Sequence, residues 1–140
     1  MACHNSAVVD APSDRVWTVL RNFHDFSWCP DVVEKVEKVG SAESDQIGAM
    51  RIINGAFHET LVALDDQAKS LRYTIDDGPD PVSKEKVVSY VGQVQLFPVT
   101  DTDATFVLWT SSWESSEGGV KDFCDPIYQA ILAALKNHFA

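Results

Sequence analysis

The chain has 140 residues and a net charge of −10, from 11 Lys and Arg against 21 Asp and Glu. A hydrophobic share of 45% with 23% charged residues fits one globular domain over 1–140 and excludes long disorder. So acidic a chain is repelled by phosphate backbones and anionic lipid heads, which argues against nucleic acid and membrane surfaces as partners.

No apolar run approaches the roughly 20 residues of a membrane-spanning helix. The start, MACHNSAVVDAP, lacks a basic region and a long apolar stretch, so a cytoplasmic location is expected. Cys3, Cys29 and Cys124 share no CxxC spacing, and His4, His24, His58 and His138 are scattered. Neither a disulfide framework nor a metal site is indicated. No P-loop, GxGxxG or GxSxG is present either, so no cofactor is expected.

Residues 4–10 read as a first strand. Ser13 is placed as an N-cap, with Asp14 in the first turn, for a helix on which Val16, Trp17, Leu20 and Phe23 recur at helical spacing. The aromatic stretch 24–31 predicts a short second helix or a turn. Strands follow at 32–40 and 47–53, and the Asn54-Gly55 pair marks a hairpin into 56–64. Strands at 70–76, 84–97 and 104–114 are separated by the polar turn 65–69, the loop 77–82 and the turn 98–103. The ending is helical, with Phe123, Ile127, Ile131, Leu135 and Phe139 at every fourth residue and Ala130, Ala133 and Ala134 on or beside that surface. Asp125-Pro126 is either a cap with a first-turn proline or a kink in a longer helix from about Val120. Hairpin-linked strands with helices at the chain's ends predict an α+β fold with an antiparallel sheet.

Period two assigns the strand faces. Val88, Tyr90, Val94 and Leu96 share one face of 84–97, opposite Glu85, Ser89, Gln93 and Gln95. Leu71, Tyr73 and Ile75 share one face of the strand before it. Val107, Trp109 and Trp113 face one way in the last strand, and Phe106 and Leu108 the other. A three-residue loop at 54–56 would set Arg51 opposite Glu59, whereas a two-residue loop would offset them onto opposite faces; a five-residue turn at the next hairpin would set Leu61 opposite Tyr73 and Glu59 opposite Ile75. On that register Arg51, Glu59, Leu61 and Tyr73 share the apolar face.

This order resembles the helix-grip fold of the START-like, birch-pollen-allergen-like (SRPBCC) superfamily. The nearer likeness is to its bacterial polyketide cyclase/dehydrase-like proteins. It is carried by Ala11-Pro12, Val16-Trp17, Leu20, Trp28, Pro30, Gly48, Arg51, Glu59, Leu61, Leu64-Asp65-Asp66, Leu71, Tyr73, Gly78-Pro79, Tyr90, Trp109, Ile127-Tyr128, Leu132 and Ala134-Leu135-Lys136. The resemblance implies a curved antiparallel sheet of about seven strands around a long C-terminal helix, with one or two short helices after the first strand. It also implies an apolar cavity between sheet and helix. The Asn54-Gly55 hairpin is shorter than the group's pattern suggests.

A charged pair inside an apolar pocket can orient a ligand's polar end or move protons, and equally can be a buried ion pair that fixes register. Arg51 and Glu59 are that pair. Tyr73 and Tyr90 carry hydroxyls that bond either a ligand oxygen or a backbone carbonyl. Trp28, Trp109 and Trp113, with Leu61, Ile127 and Ile131, are the candidate walls. Cys29 lacks a histidine–acid pair to activate it and reads as a buried thiol. The first expectation is binding of a small hydrophobic or aromatic molecule. The alternative is a cyclase/dehydratase-type enzyme with Glu59, Arg51 and Tyr73 as catalytic candidates, and a protein-interaction module of the chaperone-activator kind is a weaker one. Oligomeric state is not readable from the sequence.

Overall fold

A computed structural model describes residues 1–115 and 118–140. β1 (Ala2–Val9) leads into α1 (Ser13–Leu20), after which six strands follow: β2 (Val36–Val39), β3 (Met50–Ile53), β4 (Phe57–Asp65), β5 (Ser70–Asp77), β6 (Val87–Val99) and β7 (Ala104–Ser115). The chain closes with α2 (Val120–His138). The sheet is curved and antiparallel, in the order β1-β7-β6-β5-β4-β3-β2. Each strand from β2 to β7 pairs with the next, because short turns permit only antiparallel neighbours, and β1 then joins β7. α2 packs its buried side chains, Val120, Cys124, Tyr128, Ile131, Leu132 and Leu135, onto the inner face of this sheet.

Several local expectations are corrected. Pro12, not Ser13, caps α1, and its carbonyl accepts from the Arg15 and Val16 amides at 3.0 and 3.2 Å. The helix ends at Leu20, so Phe23 is buried beyond it rather than on it. Of the two alternatives for residues 24–31, the turn is the one observed, leaving one short helix after β1. Residues 32–35 stay out of β2 because Asn54 occupies their backbone. Its Oδ1 accepts from the amides of Glu34 and Lys35 at 2.8 and 3.2 Å, and its Nδ2 donates to the Val32 carbonyl at 3.0 Å. Asn54 sits at φ 54°, a left-handed conformation that asparagine tolerates.

The inward set on β3, β4 and β5 pairs as expected: Arg51 with Glu59, Glu59 with Ile75, and Leu61 with Tyr73. The second hairpin reaches that pairing differently. Asp65 pairs with Ser70 across a four-residue turn, and a bulge between Leu61 and Ala63 restores the register. Another register shift separates His58 from Glu59 on β4, and a further bulge, with Ser89 at φ 57°, interrupts β6. It turns Val88 outward, 61% exposed, and buries Val87 in its place, since one extra residue reverses the faces on either side of it. α2 starts at Val120 with Pro126 inside it, and its buried seam runs through Cys124, Tyr128, Ile131 and Leu135. Phe123, Ile127, Ala134 and Phe139 are half-buried at its margins, and Ala130 and Ala133 are exposed.

Candidate functional site

A hollow of about 150 Å³ lies between the sheet and α2. α2 contributes Cys124, Ile127, Tyr128 and Ile131. The sheet contributes Arg51, Ile53, Glu59, Tyr73, Ile75 and Trp109, and the turns add Phe26, Val32, Val33 and Asn54. Phe57, at the start of β4, completes the wall and stacks on Phe123 of α2 with ring centres 6.3 Å apart. A second hollow of about 20 Å³ lies beside it, lined by Leu20, Trp28, Leu71 and Val94 among others. Phe26, Arg51, Tyr73 and Trp109 line both and so partition them.

Of the residues singled out from sequence, Arg51, Glu59, Tyr73, Trp109, Ile127 and Ile131 line the larger hollow, and Trp28 lines the smaller one. Leu61, Tyr90 and Trp113 are buried behind the wall, Trp113 stacked on Tyr90 at 5.5 Å between ring centres and 8° between planes. Tyr128 and Cys124 were not singled out. Their signal was available: with Val120, Ile131 and Leu135 they follow mixed three- and four-residue steps, the spacing of one helix face.

Arg51 is 6% exposed and held on every side. Its Nε and Nη2 donate to Glu59 Oε1 at 2.8 and 2.6 Å, and its Nη1 donates to the Phe23 carbonyl at 2.8 Å. The Phe23 ring lies 3.7 Å from the guanidinium carbon and the Phe26 ring 4.8 Å. Such aromatic faces favour a desolvated cation. Glu59 is also 6% exposed. Both hydrogen bonds from Arg51 fall on Oε1, so Oε2 has no protein partner, although Glu59 lines the hollow. Burial pushes the Glu59 carboxyl above its usual range, against the opposing pull of Arg51.

Opposite this pair runs a chain of buried hydroxyls. Trp109 Nε1 donates to the Tyr73 hydroxyl at 2.9 Å, Tyr73 and Tyr128 are 3.2 Å apart, Tyr128 and Tyr90 2.5 Å, and Tyr90 donates to Cys124 Sγ at 3.5 Å. Each phenol carries one proton. With Tyr90 spending its proton on Cys124, Tyr128 donates to Tyr90 and Tyr73 donates to Tyr128, so the chain has one direction. Burial pushes the pKa of Tyr73, Tyr90 and Tyr128 above the ordinary phenol value, keeping all three neutral. The Cys29 and Cys124 thiols are raised by the same desolvation. Among the described residues no three His, Cys, Asp or Glu converge as a metal would need. No described helix is long and apolar enough to cross a membrane.

Residues 3–140 match the family described as polyketide cyclase / dehydrase and lipid transport. A solved structure from Nitrosospira multiformis is 42% identical, with a TM-score of 0.97 over 100% of this chain and 97% of that one. One from Thermobifida fusca is 25% identical, with a TM-score of 0.81 over 99% and 92%. A Bacillus cereus protein at 18% identity and a TM-score of 0.77, over 99% and 94%, shares the fold. No curated protein matches the sequence.

Proposed function

From the premise that the chain belongs to the polyketide cyclase / dehydrase and lipid transport family, we propose that it binds a small hydrophobic or aromatic molecule in the hollow between sheet and helix. The observation that carries this reading is an apolar space of about 150 Å³ with a few polar groups turned into it, the general form of a ligand site. Close packing leaves few voids of that size in a folded interior. A cavity of roughly this volume takes a single aromatic ring. Phe26, Phe57, Tyr73, Trp109 and Tyr128 supply flat walls, while Leu61, Tyr90, Trp113 and Trp28 back them.

Titration of isotopically labelled protein with toluene tests the reading. Saturable shifts are expected in the tryptophan indole signals, with loss of binding in Ile127→Trp, where a bulky ring at the half-buried mouth fills the space. A folded wild type that shows no saturable shift with toluene or with its one-ring polar analogues refutes it.

The second reading is a cyclase/dehydratase-type reaction. It is favoured by one observation: Glu59 lines the same hollow as Tyr73 and Tyr128, and burial raises its carboxyl toward the range useful for proton transfer. In that reading Glu59 removes a carbon-bound proton, and Arg51 orients Glu59 without giving up its own proton. Aromatised product from a poly-β-ketone thioester mimic, absent with Glu59→Gln, is the expected result. Equal yields with wild type and variant exclude it.

A further inference from the structure

We propose that the hollow selects an uncharged one-ring aromatic bearing a hydrogen-bond donor, a phenol by class, whose O–H donates to Glu59 Oε2. This rests on the reading of the hollow as a ligand site and adds which chemistry it prefers.

Three features converge on it. The first is supply and demand among hydrogen bonds. The Tyr73, Tyr128 and Tyr90 protons are spent along their chain, and the Trp109 N–H is spent on Tyr73. Arg51 commits Nε, Nη1 and Nη2 to Glu59 and the Phe23 carbonyl. These bonds use three of the five Arg51 N–H groups, and Asn54 Nδ2 spends one of its two on Val32, whereas the second carboxylate oxygen of the nine-tenths-buried Glu59 accepts no hydrogen bond from the protein. A ligand that brings a donor satisfies that oxygen, and one that brings only an acceptor does not.

The second feature is charge. Arg51 and Glu59 cancel, so an anionic ligand would bring an uncompensated charge into an apolar space and meet the Glu59 carboxylate. A cationic ligand would face the Arg51 guanidinium beside that carboxylate. A neutral donor avoids both costs. The third is size: about 150 Å³ accommodates one ring and its substituent.

The test is a titration followed by the tryptophan indole NMR signals, using p-cresol, toluene, acetophenone and p-toluate. p-Cresol is expected to bind roughly tenfold to hundredfold tighter than toluene or acetophenone, the range of a hydrogen bond to a charged group. p-Toluate is expected not to saturate. In Glu59→Gln the p-cresol advantage should fall to about threefold or less, and p-toluate should begin to bind, because Arg51 then lacks a counter-charge.

If Glu59→Gln does not fold, the apolar double variant Arg51→Met with Glu59→Leu replaces it. There p-cresol and toluene should bind alike while p-toluate stays excluded. Equal wild-type affinities for p-cresol and toluene overturn donor recognition and leave the ligand site standing. Tightest binding by p-toluate assigns the site to anions and overturns it too. Failure of all four to saturate a folded protein overturns the ligand site itself.

Discussion

Replacing Arg51 by methionine isolates the energetics of the buried pair. The variant removes two hydrogen bonds from Glu59 Oε1 and one from the Phe23 carbonyl, together with a cation held 3.7 Å from the Phe23 ring. A buried charge left without its partner costs about 3–5 kcal/mol. That is a large share of the roughly 5–15 kcal/mol by which a domain is stable. At about 2–4 °C per kcal/mol for a chain of this size, the thermal midpoint should fall by roughly 6–20 °C. Arg51→Met with Glu59→Leu should recover most of the loss, since an apolar replacement of a buried pair is often neutral or better. The deficit that remains reports the Phe23 carbonyl and the ring contacts.

The penalty should also depend on pH, with a fixed sign. Glu59 is raised in the folded state, so it favours the fold when protonated and costs stability as pH rises from its unfolded to its folded value. Arg51 is what opposes that rise, so its removal extends the window upward. Denaturant unfolding of Arg51→Met should therefore show a loss that shrinks on acidification and is full at neutral pH. A loss under about 1 kcal/mol, typical of an exposed pair, or one with no pH dependence, refutes the account of a dry pair.

Gly92→Ala should be severe, because a Cβ there would lie 2.2 Å from Tyr73 Cζ and 2.5 Å from its hydroxyl. We expect a loss near the upper end of the about 1–3 kcal/mol seen for overpacking, and strong non-additivity with Tyr73→Ala in a double-mutant cycle followed by denaturant unfolding. The three buried free cysteines should react slowly with iodoacetamide in the native protein and rapidly once unfolded, as counted by mass spectrometry. Burial pushes the Cys3 thiol up to about 12, and only the thiolate attacks.

Much of the architecture could be read in the residues. Asn54-Gly55 sets the hairpin length, and the alternation on β4 and β5 sets which side chains face the core, so the Arg51–Glu59 and Leu61–Tyr73 pairings followed. The bulges did not show, because inserting one residue leaves composition and alternation nearly unchanged on each side. At Val62 the extra residue compensated a shorter turn and left the pairing intact; at Ser89 it reversed Val88.

The helix face illustrates another limit. A strict four-residue step advances about 400°, or about 40° beyond a full turn. Phe123 and Phe139, four such steps apart, therefore cannot share one line. The observed seam mixes steps of three and four, and so reaches Tyr128. Nor could spacing reveal that both Arg51 donors to Glu59 fall on a single oxygen, since that depends on how Phe23 and Phe26 hold the guanidinium.

The partition between the two hollows bears on how such a protein could diversify. Tyr73 lies over Gly92 and, with Phe26, Arg51 and Trp109, lines both the larger space and the smaller one bounded by Trp28 and Leu71. A smaller residue at position 73 would open one into the other and turn a one-ring chamber into a longer channel, with the strands and α2 left in place. The length of the interior space is then governed by one internal wall, and a lineage could extend it without rebuilding the sheet around it.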